Sequence, residues 1–188
     1  MKNLKNKYPN PMDIVMRYVV LLIIAVPNLW VFYAIFTPLT LYVLSFVLKL
    51  FFEVSVINNT LVLNSQFPIE IVEACVAGAA YYLLLILNLS VSGIKLKKRL
   101  AMIFSSFAFL FVINILRIIL LSIIYVKGYS FFDAAHWILW HLMSIVFVVG
   151  IWFAEVRLFK IKEIPVYSDI KFLVSNIKKA KRRIKRKR

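Results

Sequence analysis

Acidic residues are scarce in this chain, and cysteine and histidine are nearly missing: eight Asp/Glu stand against 24 Lys/Arg, with one cysteine and two histidines in 188 residues. A single cysteine, Cys75, excludes an internal disulfide and any Cys-based metal cluster. Two histidines, His136 and His141, without an HExxH helix, argue against an intramembrane metalloprotease, and no metal or cofactor is expected. No repeat, Gly/Ser linker or Pro-rich tract divides the chain. The first 20 residues lack a short apolar core followed by a small-residue cleavage site, so the first apolar run reads as a retained span. The interrupted, alternating pattern of a membrane β-barrel is absent as well.

What the chain does have is hydrophobicity and positive charge. It is 63% hydrophobic with a formal charge of +16, more apolar surface than a soluble domain of this size hides in one core. The expected fold class is an all-α integral membrane protein: a bundle of about 4–5 transmembrane helices with a re-entrant or interfacial helix, a short external hairpin and a basic cytoplasmic tail. Residues 1–160 are expected to form one multi-pass membrane domain, and residues 161–188 the tail. The candidate spans are Met16–Phe36, Ile69–Val91, Ala101–Val126 and Ala134–Ala154, with a further apolar run over Leu39–Phe52.

Charge clusters orient these spans. Lys2, Lys5, Lys7 and Arg17 flank the first; Lys95, Lys97, Lys98 and Arg99 form a tight loop; thirteen Lys/Arg follow Ala154. All three clusters are cytoplasmic by the positive-inside rule. Three crossings between the N-terminus and the Lys95–Arg99 loop would break that parity, so the Leu39–Phe52 run is expected not to cross. Its polar stripe of Thr37, Ser45, Lys49 and Glu53 lies on one helical face, with Lys49 and Glu53 placed to pair, which suits an interfacial or re-entrant helix. The alternative is a fifth span with an external N-terminus.

Between Glu53 and Pro68 the period changes. Val54, Val56, Leu61 and Leu63 flanking Asn58 and Asn59 predict a hairpin outside the membrane, and Asn58-Asn59-Thr60 matches a glycosylation sequon. Pro68 then marks the start of the next helix. At about 1.5 Å rise per residue, Cys75 falls roughly 9 Å inside the outer end of its helix and Arg117 roughly 13 Å from the end of its own, while His136 lies in the first turn behind Asp133, an expected N-cap. Cys75, Arg117 and His136 thus share the outer half of the membrane.

Those three residue types supply the parts of acyl transfer. A thiolate is the most nucleophilic side chain near neutral pH; His136 is a candidate general base, and Arg117 can stabilise a thiolate or a developing oxyanion without giving up its proton. Each also has a plainer reading: Cys75 as a packing residue, Arg117 as a partner of Glu70, Glu73 or backbone carbonyls, His136 as an interfacial helix-start residue. His141 lies about 140° further around the helix, so the two histidines cannot both face the same point. Small residues Ala74, Ala77, Gly78, Ala79 and Ala80 allow close helix approach. Trp137, Trp140 and Trp152 fit interfacial belts and lipid contact. The Asn-Leu-Ser at Asn88 lies inside a span and is set aside as a glycan site. The terminal KKAKRRIKRKR, nine basic residues of eleven, reads as an anchor to anionic inner-leaflet lipids rather than a nucleic-acid arm.

Three blocks carry a family resemblance: IVEACVAGAAYYLLLILNLS around Cys75, NILRI with Asn114 and Arg117, and FDAAHWILWH with His136. In this order and spacing, over about Phe67 to Phe153, they resemble the exosortase/archaeosortase family of membrane cysteine transpeptidases. Many members have a Cys-x-Gly signature, whereas this chain reads Cys75-Val76-Ala77-Gly78, with the glycine one position later. The resemblance implies a Cys-Arg-His active site at Cys75, Arg117 and His136. It implies as partners secreted proteins whose C-terminal sorting signal has a short motif, a transmembrane helix and a basic end, and a lipid or other amine as acyl acceptor. It also implies a prokaryotic cell-membrane enzyme with its site near the external face, and the Lys/Ile/Asn usage and polar-lipid acceptor suit an archaeal member. The alternative is a small transporter or channel with Arg117 as an anion site; a membrane scaffold using its basic tail is a third.

Overall fold

Pro27 ends the first helix. A proline cannot donate the helical N–H, and the two residues after it, Asn28 and Leu29, take left-handed conformations with φ of 50° and 60°. This is seen in a computed structural model that describes residues 11–91, 93–161 and 174, leaving aside the side chains of residues 11 and 141–144. Its elements are α1 (Pro11–Ala25), α2 (Trp30–Leu48), β1 (Val54–Ile57), β2 (Thr60–Leu63), β3 (Phe67–Glu70), α3 (Glu73–Val76), α4 (Gly78–Leu89), α5 (Leu96–Val126) and α6 (Phe132–Leu158). Lys2, Lys5 and Lys7, the side chain of His141, and the basic tail beyond Ile161 apart from Val174 lie outside the described residues.

The first expected span, Met16–Phe36, is therefore two helices. After the Pro27 turn, α2 runs without a stop through Pro38 to Leu48. The Leu39–Phe52 run is the second half of α2 and its closing turn, not a separate interfacial or re-entrant helix. Lys49 caps the end of α2, so Glu53 falls beyond the helix and the expected i,i+4 geometry with Lys49 is lost. Instead the Glu53 N–H donates to Asn64 Oδ1 at 3.1 Å. Among the described residues, α2 (19 residues) and α5 (31 residues) are long and apolar enough to cross a membrane. A third is α6, if its two halves, bent by 46° between Phe132–Trp140 and Ile145–Leu158, count as one span. The 15 residues of α1 and the 12 of α4 are short of the roughly 20 that a bilayer requires.

The hairpin is present with a third strand added. The antiparallel sheet has the order β1-β2-β3, with Ile57 opposite Thr60 across the turn and Leu61 opposite Ile69 on the far side. Leu61 and Leu63 are fully buried with Leu44, Leu48, Ile71 and Val76, so the sheet packs down onto the end of α2. Pro68, expected to open a helix, lies in β3, at the edge of the sheet where a residue without an N–H costs no ladder bond. The helix containing Cys75 begins only at Glu73, so Cys75 stands in its first turn and not two turns in.

The expected Ile69–Val91 span is broken again at Ala77, which takes φ 61° between α3 and α4. Directly after it, Gly78 meets α2: a Cβ there would lie 2.6 Å from the ring of Tyr33. Below the break, Tyr81 is fully buried, stacked on Phe36 at 3.9 Å and edge-on to Phe107 at 5.3 Å. These rings join α2, α4 and α5 into one core with Phe32, Leu84 and Leu110.

At the other end of α4 two arginines close the helix. Arg17 donates to the carbonyls of Leu89 (2.7 Å) and Val91 (3.2 Å), and Arg99 donates to the same two at 2.7 and 2.8 Å. They take up acceptors that a helix C-terminus leaves open. Nearby, Glu155 is buried and accepts a 2.5 Å bond from Ser105. Asn88 donates to Leu84 O and Ser106 Oγ from a fully buried position. Trp152, expected at a lipid-facing belt, is instead buried with Val91 and Met102, while Trp137 and Trp140 are exposed.

Two adjacent substitutions should therefore have opposite effects. Ala77→Gly removes a left-handed alanine and is expected to raise stability by roughly 0.5–1 kcal/mol. Gly78→Ala drives a methyl into Tyr33 and is expected to lower it by about 1–3 kcal/mol, relieved in part by Tyr33→Ala. Thermal unfolding of the purified full chain in detergent measures both.

Candidate functional site

Cys75, Arg117 and His136, from α3, α5 and α6, line a single pocket with a cavity of about 190 Å³. Its remaining wall is β3 and the chain just after it (Pro68, Ile69, Glu70 and Ile71), together with Ile118, Leu121, Ser122, Tyr125 and Phe132. Half of the lining residues are apolar, and the three candidate residues, Glu70, Ser122 and Tyr125 are the polar half.

Cys75 is half-buried and its thiol is free. Its own N–H donates to Val72 O at 2.8 Å. Its carbonyl, cut off from a continuous helix by the turn at Ala77, accepts a 2.7 Å bond from Asn114 Nδ2. Asn114 is buried on α5, three residues before Arg117 and on the same face of the helix. One side chain thus fixes the nucleophile's backbone to the helix that carries the arginine.

Arg117 is the unusual member. It is only 9% exposed, it lies within electrostatic reach of Cys75, and its Nε has no hydrogen-bond partner. Neither Glu70, which shares the pocket, nor Glu73 pairs with it, and among the described residues no backbone carbonyl accepts from it. A guanidinium this buried is costly where its Nε–H finds no acceptor, since a buried donor without a partner forfeits its hydrogen bond. A second, smaller cavity of about 20 Å³ touches Arg117 from the side of Ala77, Ala80 and Asn114.

His136 is exposed at the pocket rim. Asp133, expected to cap its helix, does not: α6 starts at Phe132 behind Phe131 with no side-chain cap, and Asp133 sits inside the first turn. What orients the imidazole is aromatic packing. Its ring lies parallel to Phe132 at 5.9 Å and edge-on to Trp140 at 5.8 Å. Phe132 in turn contacts Tyr125, and Tyr125 contacts Phe67 of β3. This row of rings connects the histidine on α6 to the strand beside Cys75.

The arrangement offers a thiol, a fixed cation and an imidazole around one apolar-walled opening. Among the described residues no group of three or more His, Cys, Asp or Glu side chains is placed to hold a metal ion. Sequence reasoning missed the contribution of β3 and the anchoring role of Asn114. The signal for Asn114 was present, as a polar amide three residues from an arginine within an apolar run. No family model matches this chain, and no curated protein or solved structure matches it.

Proposed function

We propose that this chain is a multi-pass cell-membrane cysteine transpeptidase of the exosortase/archaeosortase kind, prokaryotic and archaeal in setting. In this reading it cleaves the C-terminal sorting signal of secreted proteins near the external face and transfers them to a lipid or other amine. The observation that carries the proposal is the shared pocket of Cys75, Arg117 and His136, contributed by three separate segments. Its chemistry follows from the residues. His136 takes the thiol proton of Cys75, and the sulfur attacks a peptide carbonyl. Arg117 stabilises the oxyanion, and the C–N bond breaks as His136 returns the proton to the leaving amine. An acceptor amine then attacks the thioester, releasing the Cys75 thiol.

The local backbone supports the reading too. The family signature is Cys-x-Gly, and in this chain the residue two after Cys75 is Ala77, which is left-handed at φ 61°. A glycine is the residue that such a position favours. The signature's glycine therefore has a physical reason at this place, and here alanine fills it at a cost.

The unpaired Arg117 also suits an anion site in a small transporter, and Cys75 separates the two readings. Cys75→Ala is expected to abolish release of the C-terminal peptide from secreted proteins ending in a short motif, an apolar helix and basic residues, followed by mass spectrometry in intact cells. Full processing by that variant would reject the transpeptidase reading. Arg117→Lys keeps the charge but loses the planar fork, and the processing rate should fall about 10²–10³-fold.

A further inference from the structure

The free edge of β3 forms part of the pocket wall, and its hydrogen-bonding groups can be assigned. Glu70 lies opposite Thr60 and Pro68 opposite Val62, while the Ile71 N–H donates to Asn59 O at 2.8 Å. In an antiparallel pair, main-chain groups alternate between facing the partner strand and facing away. Ile71, Ile69 and Phe67 thus face β2, and Pro68 and Glu70 face outward. Pro68 fits this alternation, since its missing N–H falls on the side where β2 needs none. The Glu70 N–H and the carbonyls of Pro68 and Glu70 point along the open edge. Among the described residues, no backbone hydrogen bond from a neighbouring element takes them up. Both residues are exposed, and both line the pocket that holds Cys75 and the unpartnered Arg117.

We infer that β3 is the docking edge for an extended peptide, which pairs its main chain with the Glu70 N–H and the Pro68 and Glu70 carbonyls and so brings a peptide carbonyl to Cys75. The inference rests on the proposed function and adds to it how the substrate is held. An added strand fixes the peptide's register through backbone groups, whatever its side chains. Edge strands normally carry devices that prevent pairing with other chains. Four residues long and carrying Pro68 and Glu70, β3 has such devices against open-ended pairing, yet one N–H and two carbonyls stay available beside the nucleophile.

The test uses the purified full chain in detergent with two probes: a tetra-alanine vinyl sulfone and the same compound with every peptide nitrogen methylated. The Cys75 sulfur adds to the vinyl carbon and a proton is taken up at the adjacent carbon, so each labelling event is a mass shift on the sole cysteine. Iodoacetamide, which needs no docking, reports the reactivity of Cys75 itself. The unmethylated probe should label about tenfold faster than the methylated one, as expected for losing one or two main-chain hydrogen bonds. Glu70→Pro removes the outward N–H, the donor to a probe carbonyl, without removing a bond to β2, and should slow the unmethylated probe about fivefold relative to iodoacetamide. Glu70→Ala keeps that N–H and should not slow it. Equal rates for the two probes on the unaltered chain, a comparison that involves no variant, would overturn the inference, as would an unslowed unmethylated probe in Glu70→Pro. If iodoacetamide itself does not alkylate Cys75, the proposed nucleophile fails first and this inference with it.

Discussion

The hydrogen bond from Asn114 to the Cys75 carbonyl is the contact on which the site depends. The turn at Ala77 interrupts a helix among apolar elements, and an interruption there strips carbonyls of their helical partners. In surroundings without water each such carbonyl must find a donor within the protein, since leaving it open costs several kcal/mol. Asn114 supplies that donor from α5 at 2.7 Å. The break can then persist, α3 can tilt away from α4, and the thiol of Cys75 can face the space between β3, α5 and α6 instead of a neighbouring helix. Without the break, Cys75 would be one more small residue on an apolar helix.

The two buried arginines of α5 show the same accounting of donors with opposite results. Arg99 and Arg117 are separated by about 27 Å along the helix axis, close to the roughly 30 Å of a bilayer core. Arg99 donates to the carbonyls at the end of α4, which it shares with Arg17, and this joins α1, α4 and α5 at one end of the bundle. Arg117, equally buried, has no such acceptors. The first arginine is explained by the fold. The second is explained by something the fold leaves room for, and the pocket beside it is where a carbonyl oxygen or an anion would supply the missing acceptor.

Parts of this were legible in the sequence. The period change over Val54–Leu63 identified the hairpin, because alternation and an Asn-Asn turn are local signals. The charge clusters put Cys75, Arg117 and His136 on one side, and they do share a pocket, although Cys75 lies in the first turn of its helix and not some 9 Å along it. Other features depend on context that a single sequence does not carry. Pro27 and Pro38 look alike in the chain, yet one ends a helix and the other is carried inside one. The difference is that Asn28 and Leu29 turn the chain back after Pro27. Pro68 suits a helix start and an outward position on an edge strand equally well, and only the pairing with β2 decides. Trp152 and Glu155 carry no local sign that they face inward, where Met102 and Ser105 receive them.

α3 and the start of α6 face each other across one pocket, and the chain's single cysteine makes that directly measurable. In a His136→Cys variant, a short bifunctional thiol reagent should join Cys75 to position 136 within one molecule, whereas Phe153→Cys, exposed toward the other end of α6, should give no such product. Efficient joining to position 136 alone is the predicted result. Absence of the Cys75 to 136 crosslink, with both thiols shown to react singly, would mean that the two segments do not share a pocket.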